Sequence, residues 1–179
     1  MRSESILTSL TKASALLESF IKDGAAVQLI DTVADLVAVC FNRGNKVLIC
    51  GNGGSACDAM HFSEEFTGRF RLNRRALPAI SLTDASHLTC VANDYGFEEV
   101  FSRGVEAYGK EGDVFIGLST SGNSENVYRA FLTAEKLNLN TIALLGKTGG
   151  KITQLANHEW VIKETTADRI QEMHMLILH

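Results

Sequence analysis

Five short apolar, β-rich runs punctuate this chain, at 46–50, 77–82, 113–118, 140–145 and 158–163. Segments of helical periodicity lie between most of them and after the last. That alternation constrains the fold more than any other feature. Strands separated by helices need crossover connections, and crossovers produce parallel strands. Right-handed crossovers cover both faces of the sheet. The pattern therefore predicts an α/β fold, a three-layer doubly wound domain with a five-stranded parallel sheet. In such folds ligands bind beyond the carboxyl ends of the strands, near the point where strand order reverses.

The first run leads into Gly51-Asn52-Gly53-Gly54-Ser55, and a helix is expected from Ala56 to near Gly68. Glycines let a backbone approach a ligand closely, and a helix N-terminus presents unpaired N–H groups. A glycine turn alone is weak evidence: this one is not GxGxxG and has no Walker lysine. Farther along the same helix stand His61 and Glu65. Four residues apart, they share one face a turn apart, where imidazole and carboxylate can hold a metal or exchange protons.

The third run leads into Ser119-Thr120-Ser121-Gly122-Asn123-Ser124, before a helix expected over 125–137. One N-cap needs one small polar side chain, and here there are four hydroxyls and an asparagine. That surplus at a helix start favours a phosphate, held partly by the helix dipole. Asn93-Asp94-Tyr95-Gly96 reads as a turn before a helix over 97–108. The last helix, over 165–179, carries Asp168, Gln171, Glu172, His174 and His179 among apolar residues. At about 100° per residue His179 aligns best with Glu172, and Gln171 lies roughly 80° round. Spacing leaves the choice between them open. His87 and His158 read as ordinary turn and strand-start residues.

Two amphipathic helices, 3–22 and 25–43, precede the first strand. Ile6, Leu10, Ala13, Leu17 and Phe20 make a stripe on the first, and little sheet is left to cover it. A homo-oligomer is expected, with that stripe as the packing surface. At 179 residues and 45% hydrophobic content the chain suffices for one domain, 1–179, with 1–44 as packing helices and 45–179 as the α/β core. A net charge of −4 with scattered cations argues against nucleic-acid or membrane-surface partners. No apolar run is expected to reach membrane-spanning length, and the N-terminus lacks a signal-peptide core. Cys40, Cys50, Cys57 and Cys90 form no CxxC pair. Three of them lie in apolar segments and are expected to be buried thiols of a cytoplasmic protein.

At four ordered stretches the chain resembles the bacterial phosphoheptose isomerases, of the sugar isomerase (SIS) fold, which is flavodoxin-like. They are CGNGGSACDAMHFSEEFTGRF, ISLTDASHLTCVANDYGFEEVFSR, GLSTSGNSENV and ADRIQEMHMLILH. The resemblance implies interconversion of sedoheptulose 7-phosphate and D-glycero-D-manno-heptose 7-phosphate through an enediol, in lipopolysaccharide heptose biosynthesis. It implies substrate contacts from Asn52, Gly53, Gly54, Ser55, Glu65, Asn93, Asp94, Ser119, Thr120, Ser121, Ser124, Asp168 and Gln171. It further implies one zinc per subunit on His61, Glu65, Gln171 and His179, catalysis by Glu65 and His179, and a homotetramer with sites between subunits. The family's last helix usually runs about three turns further, so His179 is expected at a helix terminus. Two alternatives stand beside this reading: a non-catalytic SIS-fold protein that binds the replication initiator, or an isomerase of another sugar phosphate.

Overall fold

The computed structural model describes residues 2–179, so Met1 lies outside the described residues. The β-rich runs become strands β1 (Val47–Gly51), β2 (Ala79–Ser81), β3 (Val114–Ser119), β4 (Asn140–Gly146) and β5 (His158–Ile162). All pair in parallel, in the order β2-β1-β3-β4-β5. Between β1 and β3 the winding reverses, which makes the space beyond their carboxyl ends the switch point. The helices are α1 (Arg2–Lys22), α2 (Gly24–Asn42), α3 (Gly54–Thr67), α4 (Ala85–Tyr95), α5 (Val100–Tyr108), α6 (Glu125–Lys136) and α7 (Ala167–Leu178). Short 3₁₀ turns cover Phe97–Glu99 and Gly150–Ile152.

Alternate strand residues face opposite layers. Val47, Ile49, Ile116 and Ile142 pack with Phe41 of α2, Phe62 of α3 and Ile170 and Met173 of α7. Leu48, Cys50, Phe115 and Ala143 pack with Val91 of α4, Val105 of α5 and Phe131 of α6. The doubly wound, three-layer expectation is thus met, with two N-terminal helices ahead of it.

Several local expectations need correction. Asn93, Asp94 and Tyr95 form the last turn of α4 rather than a loop. The break comes at Gly96, whose φ of +98° suits glycine. α3 begins inside the glycine turn, at Gly54 rather than Ala56. β2 is only three residues long, as an edge strand pairing with β1 alone needs no more. Cys40 and Cys50 are buried, but Cys57 and Cys90 lie on the outer faces of α3 and α4 and are exposed. α2 has the length and hydropathy (1.7) of a membrane-crossing helix, because Asp31 and Asp35 are its only charged residues.

One face of α2 nonetheless packs on the sheet through Val37, Cys40 and Phe41. Asp23 caps its start by accepting the Ala26 N–H at 3.1 Å. The indole N–H of Trp160, in β5, donates to the Ala26 carbonyl at 3.0 Å. α1 is bound more loosely. Leu16 and Phe20 touch the core, whereas Ile6, Leu10 and Ile21 are each at least 60% exposed.

Asp113 closes the entry to β1 and β3. Fully buried, its carboxylate accepts from Asn45 Nδ2, Lys46 N and Lys110 N, each at 3.0 Å, and pairs with the Lys46 ammonium. Burial alone would raise its pKa, but Lys46 and the amides outweigh that and hold it below the ordinary carboxylate value. A depressed folded-state pKa adds stability above the unfolded pKa and loses it as pH falls through the folded one. Asp113→Asn is expected to lower unfolding free energy by about 1–3 kcal/mol at pH 7. Urea titrations should show this gap narrowing towards pH 3. A gap independent of pH would remove the ionised carboxylate from the account.

Candidate active site

Helix α3 turns Glu65 inward and leaves His61 at the rim. Their side chains are 12% and 48% exposed. The i, i+4 spacing brings His61 Nε2 to 3.3 Å from Glu65 Oε1. From α7, His179 brings Nε2 to 3.6 Å from the same oxygen. The two imidazoles meet edge to face, with ring centres 5.2 Å apart. Phe70, in the loop after α3, stacks on His179 at 5.9 Å. Arg74 donates to the Glu65 carbonyl at 2.8 Å. His179 is the C-terminal cap of α7, held by its N–H on the Met175 carbonyl at 3.0 Å.

These three side chains suit a metal ion. Their donor atoms all lie within 4.8 Å of one another. Donors about 2.1 Å from a tetrahedral ion stand about 3.4 Å apart, close to the two separations above. Two imidazole nitrogens and a carboxylate oxygen form a donor set common in such sites. Gln171 sits elsewhere on α7, against the glycine turn, with Nε2 3.5 Å from Ser55 Oγ. A Cβ on Gly54 would come within 2.6 Å of that amide, so glycine is what lets Gln171 seat there. His174, by contrast, points into the core. Its Nε2 donates to the Leu145 carbonyl at 3.1 Å, and burial pushes its pKa down to about 4.

The glycine and serine turns leave neighbouring strands at the switch point. Gly53 takes φ +56° and Ser55 is buried. Asn52 exchanges two amide hydrogen bonds, each 2.9 Å, with Asn126 at the start of α6. Asn126 is a site residue that sequence reasoning missed. A lone asparagine in a first helical turn looks ordinary, and its partner lies 74 residues away. Between the turns is a cleft of about 370 Å³ whose lining includes Asn52, Phe97, Ser124, Asn126 and Arg129. A separate apolar cavity of about 350 Å³, between α2, α3, α7 and the sheet, shares no lining residue with it.

In the serine turn, Ser119 and Ser124 share a hydroxyl hydrogen bond of 2.9 Å. Ser124 occupies the N-cap of α6, yet its side chain does not cap the helix. Ser121 Oγ accepts the Asn123 N–H at 3.1 Å. Gly122, at φ +66°, lies against the backbone of Gly149, and its carbonyl accepts the Ile152 N–H at 3.1 Å. The loop after β4 thus braces the serine turn. Beside it, Glu125 is neutralised by Arg129 and Lys151, which hold its carboxyl below the ordinary range. Asn93 and Asp94 stand exposed at the end of α4, hydrogen-bonded to each other at 2.7 Å. Asp168 is exposed in the first turn of α7, beside Arg169.

Comparison with known proteins places this geometry. The SIS domain family matches residues 10–146. A phosphoheptose isomerase from Fusobacterium nucleatum is 60% identical over 164 residues, 92% of this chain and 84% of the relative. The structure of a phosphoheptose isomerase from Francisella tularensis superposes with a TM-score of 0.94 at 34% identity, covering 100% of this chain and 95% of that one. One from Neisseria gonorrhoeae gives 0.92 at 38% identity, covering 100% and 96%.

Proposed function

Because this chain belongs to the SIS domain family and, within it, to the phosphoheptose isomerases, we propose that it interconverts sedoheptulose 7-phosphate and D-glycero-D-manno-heptose 7-phosphate. The observation that carries this is the placing of Glu65 between two imidazoles, His61 on the helix that the glycine turn opens and His179 at the end of α7. An aldose–ketose isomerase needs a base for carbon, a proton carrier for oxygen and an anchor for phosphate.

In this reading the serine turn, Ser119, Thr120, Ser121 and Ser124, binds the phosphate. Its uncapped helix start and spare hydroxyls support that role. Binding energy from the remote phosphate positions the reacting carbons. Asn52, Gly53, Gly54, Ser55, Asn93, Asp94, Asp168 and Gln171 contact the sugar. Glu65 takes the proton from the carbon beside the aldehyde and returns it to the neighbouring carbon. His179 moves a proton between the two oxygens, so the cis-enediol collapses to the ketose with no net loss of atoms. The same steps run in reverse turn sedoheptulose 7-phosphate into the aldose, a precursor of the heptoses of lipopolysaccharide, and free thiols fit a cytoplasmic enzyme. Conversion of sedoheptulose 7-phosphate by the purified protein tests the proposal. Failure on this substrate with turnover of a shorter sugar phosphate would reassign it.

We assign zinc to His61, Glu65 and His179, one ion per subunit, with Gln171 as a fourth ligand once its amide leaves the contact with Ser55. When bound, it supplies a Lewis acid that polarises the carbonyl and stabilises enediolate charge. Chelation is expected to remove most activity and zinc to restore it, with one equivalent bound by direct metal analysis. Full activity in metal-free protein would overturn the assignment.

The apolar stripe left exposed on α1 supports a homotetramer with sites at subunit interfaces. Light scattering should give four times the 19.5 kDa chain mass, and Leu10→Glu with Leu17→Glu should lower it. A fully active monomer would exclude a shared site.

A further inference from the structure

We propose that Asn126 is a positioning residue for the sugar. It fixes the orientation of the Asn52 amide and thereby locks the glycine turn to the serine turn across the switch point. The proposal rests on the reading of both turns as substrate-binding.

Asn126 is 3% exposed, and its side-chain amide uses both oxygen lone pairs and one N–H on protein partners. Its Oδ1 accepts from Asn52 Nδ2 at 2.9 Å and from the Val127 N–H at 3.0 Å. Its Nδ2 donates to Asn52 Oδ1 at 2.9 Å. An amide can in principle be turned over, exchanging oxygen for nitrogen. Here the backbone forbids it, because a reversed amide would set its NH₂ group against the Val127 N–H and leave that buried donor unpaired. The main chain of α6 therefore sets Asn126, and Asn126 sets Asn52. Asn52 then meets the cleft with one N–H and one oxygen lone pair uncommitted, in one orientation only.

The pair also has no substitute among the described hydrogen bonds between these two turns. The Ser119–Ser124 bond lies within the serine turn, and the Gly122 contacts run to the loop after β4. Asn126 is thus the link between the turn assigned to phosphate and the turn assigned to the sugar hydroxyls.

A double-mutant cycle tests this in the full-length protein, with KM and kcat for sedoheptulose 7-phosphate and a thermal melt of each variant. Asn126→Ala is expected to raise KM about tenfold, the cost of one misdirected hydrogen bond, with a smaller change in kcat. Asn52→Ala should raise KM comparably. In the Asn52→Ala background, Asn126→Ala should add little, since its effect runs through Asn52. Asn126→Ser guards against a folding defect: its hydroxyl can still accept the Val127 N–H but does not reach Asn52, so KM should rise as with Ala. Equal KM factors for Asn126→Ala in both backgrounds would overturn the proposal and leave the substrate reading standing. A lowered melting temperature with unchanged KM would also overturn it, by making the pair merely structural. Unchanged KM in Asn52→Ala would reject the substrate reading of the glycine turn, and the proposal with it.

Discussion

Glu65→Gln is expected to lower turnover by about 10²–10⁴-fold, the usual contribution of a positioned general base. Glutamine has the same length and keeps an oxygen beside His61 and His179, so the fold and the packing of α3 on α7 should survive. What it lacks is the capacity to take a proton from carbon. The Glu65 side chain is 12% exposed and both of its imidazole neighbours lie on its Oε1, whereas the neighbouring Glu64, 3.9 Å from His61, is 67% exposed and faces solvent. Circular dichroism should overlay wild type, and metal content should be measured alongside, because the same oxygen is assigned to zinc. Near-normal turnover would remove Glu65 from the chemistry. Lost turnover together with lost metal would assign it to the ion first.

Gly122→Ala is expected to cripple phosphate binding without touching a hydroxyl. At φ +66°, any L side chain is strained, by about 1–3 kcal/mol. The added methyl would also lie 2.0 Å from the Gly149 carbonyl oxygen, and backbone cannot swing aside as a side chain can. The serine turn must therefore leave the loop after β4, carrying Ser121 and Ser124 out of place. KM should rise at least tenfold, competition by inorganic phosphate should weaken, and the melting temperature should fall. Ser121→Ala, by comparison, should weaken phosphate competition with little loss of stability. A Gly122→Ala protein that melts and binds normally would show that the two loops do not meet in solution.

Period and alternation made the sheet, its helices and the pairing of His61 with Glu65 legible, because those signals are local. Where local chemistry and tertiary structure disagreed, tertiary structure prevailed. Asn93-Asp94-Tyr95-Gly96 has turn composition, yet α4 continues until Gly96 breaks it. Gly54 looks like a loop residue but opens α3, where a larger residue would collide with Gln171. Spacing on α7 aligned His179 best with Glu172 and left the choice between Gln171 and Glu172 open. The structure sets Gln171 against Ser55, whereas Glu172 pairs with Arg169 on the helix's outer side. Asn126 escaped notice because its role depends on a partner on another strand's turn, which no window along the chain contains.

The proposed proton-transfer group and the proposed phosphate anchor come from opposite layers of the fold. Glu65 and His179 belong to helices packed on one face of the sheet, and the serine turn opens a helix packed on the other. Their separation is therefore set by the thickness of the sheet and the register of β1 on β3, not by any flexible loop. On that arrangement the sheet acts as a ruler. Under the proposed assignment a sugar phosphate would be measured end to end, its phosphate seated on the serine turn and its first two carbons presented to Glu65.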